Sequence, residues 1–403
     1  MTTMASTFNI AGARSNFPAL GKKQVYFDNA GGSQVLGPVI QSISDYLSNN
    51  NVQMGATYAV GCQSSDRYKL GYLSGAAYIN AEPDEVVIGP STTQLFRNLS
   101  SAITFSPGDE LVLSKFEHEA NIASWVDTAA QLGLTVKWWT APQSTNPQLD
   151  PAELKKLLSP KTKLVACTHV SNILGTLNDI KTIAAMVHEV PGALLCVDGV
   201  SYAPHRRVDV KDLGVDFYCL SWYKVYGPHM AMLYASRTAQ ESLRSLGHFF
   251  NPTATLENKL GLAASNYELT QTIPIIRDYL GGSDPDPVFA AIAAHEAKLQ
   301  TILLEYLNSR RDITVFGETD PDPAIRVPTI SFVVKEKSSR GIVESIDNCS
   351  DYGLRWGHFY SKRLCDEILG LGEEGVVRVS MVHYNTEEEI NGLIKVLDRV
   401  ISA

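Results

Sequence analysis

The 403-residue chain has no run of eighteen apolar residues, and so no segment suited to span a bilayer as a helix. Positive charge is also short. Against 43 Asp and Glu stand 34 Lys and Arg, a formal net charge of −9, and the pI is near 5.5. That balance argues against nucleic acid or an anionic membrane as a partner. Cysteine is sparse: Cys62, Cys167, Cys196, Cys219, Cys349 and Cys365 show no Cys-x-x-Cys spacing, so neither a disulfide framework nor a metal site is expected. Cys167, Cys196 and Cys219 sit in apolar runs and read as reduced core residues. The N-terminal Met1-Thr2-Thr3-Met4-Ala5-Ser6-Thr7 has no basic region leading into an apolar core, so the expectation is a cytoplasmic protein. There is no internal repeat and no low-complexity tract.

What is present suits a sizeable core. Apolar residues make up 44% and charged residues 19%, enough for two core-bearing units. Apolar strands are expected near 86–88, 110–113, 135–139, 163–167, 193–197 and 215–220, separated by helix-length segments. That alternation is the mark of an α/β fold with a mostly parallel sheet and crossover helices. The stretch from Asn251 to Thr272 has weak periodicity and reads as a long loop at a subunit contact. Gly281-Gly282-Ser283-Asp284-Pro285 breaks the chain, and Val288 to Leu307 follows as an amphipathic helix. Strands 313–316, 329–334 and 376–380 then supply a smaller α+β unit, closed by a helix from Thr386 to Ile401 that opens on the box Thr386-Glu387-Glu388-Glu389. Three segments are expected: 1–40, packing with the small domain; 41–280, the large domain; and 281–403, the small domain.

Chemistry concentrates at a few strand ends. Lys224 lies in Ser221-Trp222-Tyr223-Lys224-Val225-Tyr226-Gly227-Pro228, just after an apolar strand. Desolvation there lowers an amine's pKa and makes it a competent nucleophile toward an aldehyde. Twenty-six positions earlier Asp198 ends another apolar run, placing a carboxylate where α/β sheets bind ligands. Lysine and carboxylate together are what pyridoxal 5′-phosphate (PLP) needs, one for its aldehyde carbon and one for its pyridinium nitrogen. Pro90-Ser91-Thr92-Thr93-Gln94 opens a helix with hydroxyls and free N–H groups, an anion site, and Ser221 can reach the same phosphate. His118, in Phe116-Glu117-His118-Glu119-Ala120-Asn121, can stack on the ring or move protons. Asn172, in the segment from His169 to Thr176, can hydrogen-bond either the cofactor's 3′-oxygen or the substrate carboxylate.

As an ordered set, Thr92-Thr93, Glu117-His118, His169 to Thr176, Asp198-Gly199 and Ser221 with Lys224 to Pro228 resemble the class V branch of fold type I PLP enzymes, which includes the cysteine desulfurases. The likeness extends from Tyr26-Phe27-Asp28-Asn29-Ala30-Gly31-Gly32 to Arg378-Val379-Ser380-Met381-Val382-His383-Tyr384-Asn385-Thr386. It implies a large domain with a mostly parallel seven-stranded sheet, a smaller α+β C-terminal domain and a homodimer. By that resemblance Lys224 is the aldimine lysine, Asp198 the pyridinium partner, His118 the stacking residue, and Thr93 with Ser221 the phosphate ligands. Thr92, Asn172, Ser201 and Tyr223 complete the cofactor site. Arg378 clamps the substrate α-carboxylate, and Asn29, Tyr58, Arg355 and Tyr360 join it on the substrate side.

The departures bear on the reaction. Where desulfurases carry the sulfur-accepting cysteine, Arg355-Trp356-Gly357-His358-Phe359-Tyr360 places a tyrosine. Tyr223 replaces the histidine before the lysine, and Ser201 a glutamine. Ala264 stands for the threonine that the family lends to the partner's phosphate, leaving Asn266 or Thr270 as substitutes. The resemblance therefore implies an enzyme working at Cα of an amino acid through external aldimine and quinonoid intermediates, without a persulfide. It is similar to fungal specialised-metabolism members such as the loline-pathway Mannich cyclase, which points to carbon–carbon bond formation. A cysteine or selenocysteine lyase without an enzyme persulfide, an amino acid epimerase and a non-catalytic PLP-fold protein are the alternatives.

Overall fold

The computed structural model describes residues 8–261 and 263–402; the first seven residues, read above for a leader, lie outside it. In chain order the strands are β1 (Val25–Tyr26), β2 (Val86–Gly89), β3 (Glu110–Ser114), β4 (Thr135–Trp139), β5 (Thr162–Thr168), β6 (Leu194–Asp198), β7 (Phe217–Ser221), β8 (Ala231–Ala235), β9 (Ile313–Phe316), β10 (Thr329–Val334), β11 (Tyr352–Gly353), β12 (Arg355–Gly357) and β13 (Val376–Ser380). Seven of them form one sheet in the order β2-β8-β7-β6-β5-β3-β4. Every pairing from β7 to β4 is parallel. β8 is antiparallel to both its neighbours, and its run Ala231-Met232-Leu233-Tyr234-Ala235 was not anticipated.

The parallel strands are apolar almost throughout because helices cover both faces. Alternation then splits each strand between two cores. Val112, Val165, Cys167, Leu195, Val197, Tyr218 and Leu220 pack into one. Leu111, Leu113, Leu164, Ala166, Cys196, Phe217 and Cys219 face Leu95, Phe96, Leu99 and Trp125 in the other. All six cysteines are free, with Cys167, Cys196 and Cys219 buried as expected.

A second sheet, ordered β12-β13-β10-β9, is antiparallel throughout. Its core joins Ile330, Phe332, Val377 and Val379 to Leu299, Leu303 and Leu307 of helix Asp286–Ser309 and to Leu393 and Leu397 of helix Glu387–Ser402. Phe27 lies in this core, and β1 pairs in parallel with β11, so the chain's beginning is stitched to the C-terminal unit. The last helix opens on a reciprocal capping box. Glu389 N–H donates to Thr386 Oγ1 and Thr386 N–H donates to Glu389 Oε2, each at 3.1 Å.

The expected long loop from Asn251 to Thr272 is instead ordered by two short helices, Leu256–Leu260 and Tyr267–Thr270. Thr255 caps the first by accepting from Asn258 N–H at 3.1 Å, and Leu256 and Leu260 are fully buried. Helices this short carry too few turns for a 3.6-residue pattern to stand out, and tertiary burial supplies their stability.

Candidate active site

The C-terminal ends of β5, β6 and β7 lie side by side, with Thr168 in register with Asp198 and Asp198 with Cys219. The strand order thus gathers residues far apart in sequence at one edge, where open α/β sheets bind ligands. Gly199 lets the chain leave β6 tightly: a Cβ there would run into the Tyr218 ring. The Tyr218 hydroxyl bonds His169 Nδ1 at 2.9 Å, and His169 stacks on Tyr202 with centroids 3.6 Å apart. His169 is therefore a packing residue behind the site.

Lys224 ends a single 3-10 turn, Trp222–Lys224, that follows β7 directly. Its side chain is buried and forms no hydrogen bond or ion pair among the described residues. Burial lowers its pKa to about 8, with help from the Arg378 charge and against the pull of Asp198 and Asp28. Asp198 is held above the usual carboxylate range by burial, opposed by a hydrogen bond from Val200 N–H (2.9 Å to Oδ1) and by Lys224. Helix Thr92–Ala102 points its N-terminus into the same cavity. Ser91 caps it by accepting from Gln94 N–H at 3.1 Å, and Thr92 Oγ1 and Ser221 Oγ are 2.6 Å apart. Thr92 is buried by that contact while Thr93 is exposed, and both line the cavity with Ser201, Ser221 and Tyr223. A buried amine without a partner, a buried carboxylate and an anion-ready helix end converge on one cavity. These residues fit PLP: Lys224 for its aldehyde, Asp198 for its ring nitrogen and the helix 92–102 end with Ser221 for its phosphate.

His118 sits over the same cavity. Its Nδ1 accepts from Ala120 N–H at 3.1 Å. Burial first, then the charges of Lys224 and Arg378, lower its pKa to about 3. A neutral imidazole accepting at Nδ1 carries its proton on Nε2. Tyr223, half-buried, stacks on His229 at 4.9 Å.

The opposite wall comes from the small unit. Arg378 on β13 turns away from the core that takes Val377 and Val379 and lines a chamber with Lys224, His118, Tyr223, Arg355, Phe359 and Tyr360. Arg378 donates to Asp28 Oδ1 at 2.8 Å and to the Asn172 carbonyl at 3.1 Å. Its face lies 3.6 Å from the Phe359 ring centroid, and its Nε is buried without a partner. Burial lowers its pKa to about 10, against the effect of Asp28. Arg355 is half-exposed and approaches the other Asp28 oxygen at 3.4 Å. Phe359 and Tyr360 both adopt left-handed backbone, φ 48° and 61°, a strained state for aromatic residues. Their turn is held in place from outside. Glu119 N–H donates to the Tyr360 carbonyl at 2.8 Å, Asn172 Nδ2 donates to the Phe359 carbonyl at 3.0 Å, and Ser361 Oγ donates to Asn172 Oδ1 at 2.7 Å. The Tyr360 ring is thereby set 5.2 Å from that of His118.

Three of the expected residues carry further contacts or lie outside the two cavities. Asn172 borders both cavities and also braces the 359–361 turn, with one Nδ2 hydrogen and one Oδ1 lone pair engaged there. Asn29 does not line the chamber. Its Nδ2 donates to the carbonyls of Tyr26 and Ser380, both at 2.9 Å, and its Oδ1 accepts from the Tyr384 hydroxyl, so it ties the N-terminal segment to β13. Tyr58 is exposed at the start of helix Ala59–Tyr78 and lies outside both cavities. The roles of Asp28, Thr168 and Ser361 were missed. Asp28 stood inside the quoted Phe27-Asp28-Asn29 motif, but its arginine partner is 350 residues away.

The fold and the paired Lys224 and Asp198 define a PLP-dependent enzyme of fold type I. The chain belongs to the aminotransferase class-V family, whose model matches residues 25–393. It is 56% identical over 401 residues to the aminotransferase-like protein FGM3 of Gibberella zeae, covering 98% of this chain and 100% of that one. It is 39% identical over 411 residues to the cysteine desulfurase-like protein ustD of Aspergillus flavus, covering 100% and 92%. The apo structure of a cysteine desulfurase from Thermococcus onnurineus superposes with a TM-score of 0.88 at 22% identity, covering 99% and 100%, a likeness of fold. Among the described residues no helix is long and apolar enough to cross a membrane, and no group of His, Cys, Asp and Glu is arranged to hold a metal ion.

Proposed function

We propose that this PLP enzyme forms a carbon–carbon bond at Cα of an amino acid, in a Mannich- or aldol-type step of specialised metabolism, and forms no persulfide. The observation that carries the absence of a persulfide is Tyr360: a phenol stands at the chamber mouth, over His118, and no cysteine lines either cavity. The choice of carbon–carbon bond formation rests on the likeness to fungal members of the family. When bound, PLP draws electrons from Cα into its ring. Arg378, a bidentate donor, fixes the α-carboxylate and so decides which Cα bond is aligned for cleavage. The Lys224 amine, with its depressed pKa, takes the Cα proton and delivers a proton to the electrophile's oxygen or nitrogen as the new bond forms at Cα. Neutral His118 covers the site without adding charge, and half-buried Tyr223 shields it on the lysine side. A C–S lyase that releases sulfide directly is the second reading, since Tyr360 permits it equally.

A homodimer is part of the proposal. Leu47, Tyr58 and Leu70, on helices Gly37–Asn49 and Ala59–Tyr78 or at their start, are all more than half exposed, as a subunit contact requires. Light scattering tests it, and a fully active monomer refutes it. For the reaction, the purified enzyme is screened against amino acids with carbonyl co-substrates, following long-wavelength absorbance and product mass. Incubation with cysteine and a reductant is expected to give no alanine above background. Robust release of alanine and sulfide overturns the reading.

A further inference from the structure

Beneath the cofactor cavity lies a second buried acid, Glu117, with no cation to pair with among the described residues. It is fully buried. Oε1 accepts from Thr168 N–H at 2.7 Å and Oε2 from Asn121 Nδ2 at 2.8 Å. The Asn121 amide cannot simply flip, because its Oδ1 already accepts from Trp125 Nε1 at 3.2 Å. Thr168 places this acid at the level of the other: its N–H serves Glu117, it lies in register with Asp198 on the neighbouring strand, and its hydroxyl donates to the backbone carbonyls of Val170 at 2.8 Å and Asp198 at 3.3 Å. Glu117 is also the residue before His118, so the same carboxyl fastens the His118 turn to β5.

We propose that Glu117 is a positioning residue that shares one negative charge with Asp198 at the ends of β5 and β6, so that its proton sets the charge felt beneath the cofactor ring. The groups facing it are few. On its own turn are Ser114 and Asn121, on β5 Thr168 and the Cys167 thiol, and on β6 Asp198 and the Cys196 thiol. Burial holds both thiols well above their ordinary range, so neither adds charge at neutral pH. Lys224 offsets only Asp198. Two ionised carboxylates in so dry a place repel each other strongly. Burial, with Asp198 adding to it, raises Glu117 to about 8 against hydrogen bonds from Asn121, Ser114 and Thr168. The Ser114 hydroxyl rotates freely enough to donate to the carboxylate or accept from the acid, so either state is satisfied. As pH rises through 8, Glu117 loses its proton and a second negative charge joins that of Asp198 beneath the cavity.

The test is a spectrophotometric titration of the holoenzyme's visible cofactor band from pH 6 to 10, wild type against Glu117→Gln. In the wild type the added charge holds protons on neighbouring groups, so the band's transition should be broader than one proton. In the variant it should sharpen, and its midpoint should fall by about half a pH unit or more. An identical midpoint and slope in a folded variant overturns the proposal, even if activity has dropped. If the variant does not fold, infrared spectra of the wild type decide. A buried, protonated carboxyl band present at pH 6.5 and lost by pH 10, in step with the visible change, supports the proposal; its absence overturns it. The inference rests on PLP binding at Lys224. A protein with no visible band fails that reading, whereas a band indifferent to Glu117 fails only this one.

Discussion

The lysine–aspartate wall of the site stands on adjacent strands of the large sheet, whereas the arginine wall is delivered by β12, β13 and the 358–361 turn of the smaller unit. On the first wall Asp198, Ser221 and Lys224 are all buried and their backbones are fixed by ladder bonds or a single tight turn. On the second, Arg355 and Tyr360 are half-exposed or more, and the turn between them holds two aromatic residues in left-handed backbone. Rigidity suits a group that must stay bound through every turnover. Strained, externally pinned backbone suits the part that meets the substrate, because it fixes side chains where regular structure would not put them. The second wall also carries Tyr360 at the position of the desulfurases' sulfur-accepting cysteine, so reaction type is expected to depend on it and cofactor binding on the first.

The sharpest test of that division is Lys224→Ala. Turnover should be lost entirely, and borohydride should no longer fix a phosphopyridoxyl group on the protein. Cofactor held through Asp198 and the phosphate site should survive, as seen by equilibrium dialysis, and label recovered on another lysine would break the comparison. Next in size is Arg378→Lys, which keeps the charge but loses the bidentate grip. A loss of about 2–4 kcal/mol in transition-state stabilisation is expected, read as lower kcat/KM together with side transamination. An unchanged rate and product set would move the carboxylate clamp to Arg355.

A smaller effect concerns pH. Lys224 in the folded apo protein has its pKa lowered to about 8 from the ordinary 10.5, and only the neutral amine attacks an aldehyde. The rate of PLP capture should rise about tenfold per pH unit below 8 and level off above it, as stopped-flow absorbance would show; a rise continuing to pH 10 would mean the amine is solvated. The smallest change is expected for Arg355→Ala. Its pairing with Asp28 is long and half-exposed, so thermal unfolding should show a loss below about 1 kcal/mol, with a rise in KM and little change in cofactor affinity.

The sequence by itself carried the parallel strands, because covering both faces of a sheet forces continuous apolar runs, and it carried Lys224 and Asp198, because each closes such a run. The C-terminal capping box was legible for the same local reason: its partners lie three residues apart. β8 was not legible, since an antiparallel strand inside this sheet is as apolar as its neighbours and follows them after a short turn. Nor were the distant partners of Asn29 and Asn172, whose amides donate to carbonyls 351 and 187 residues away. Asp28 found Arg378, and the Glu117 carboxyl met Thr168, the strand neighbour of Asp198, only when sheet order and the docking of the two units closed those separations. Local pattern reports which face of an element is dry. Which polar groups meet on the other side is decided by contacts that no window along the chain contains.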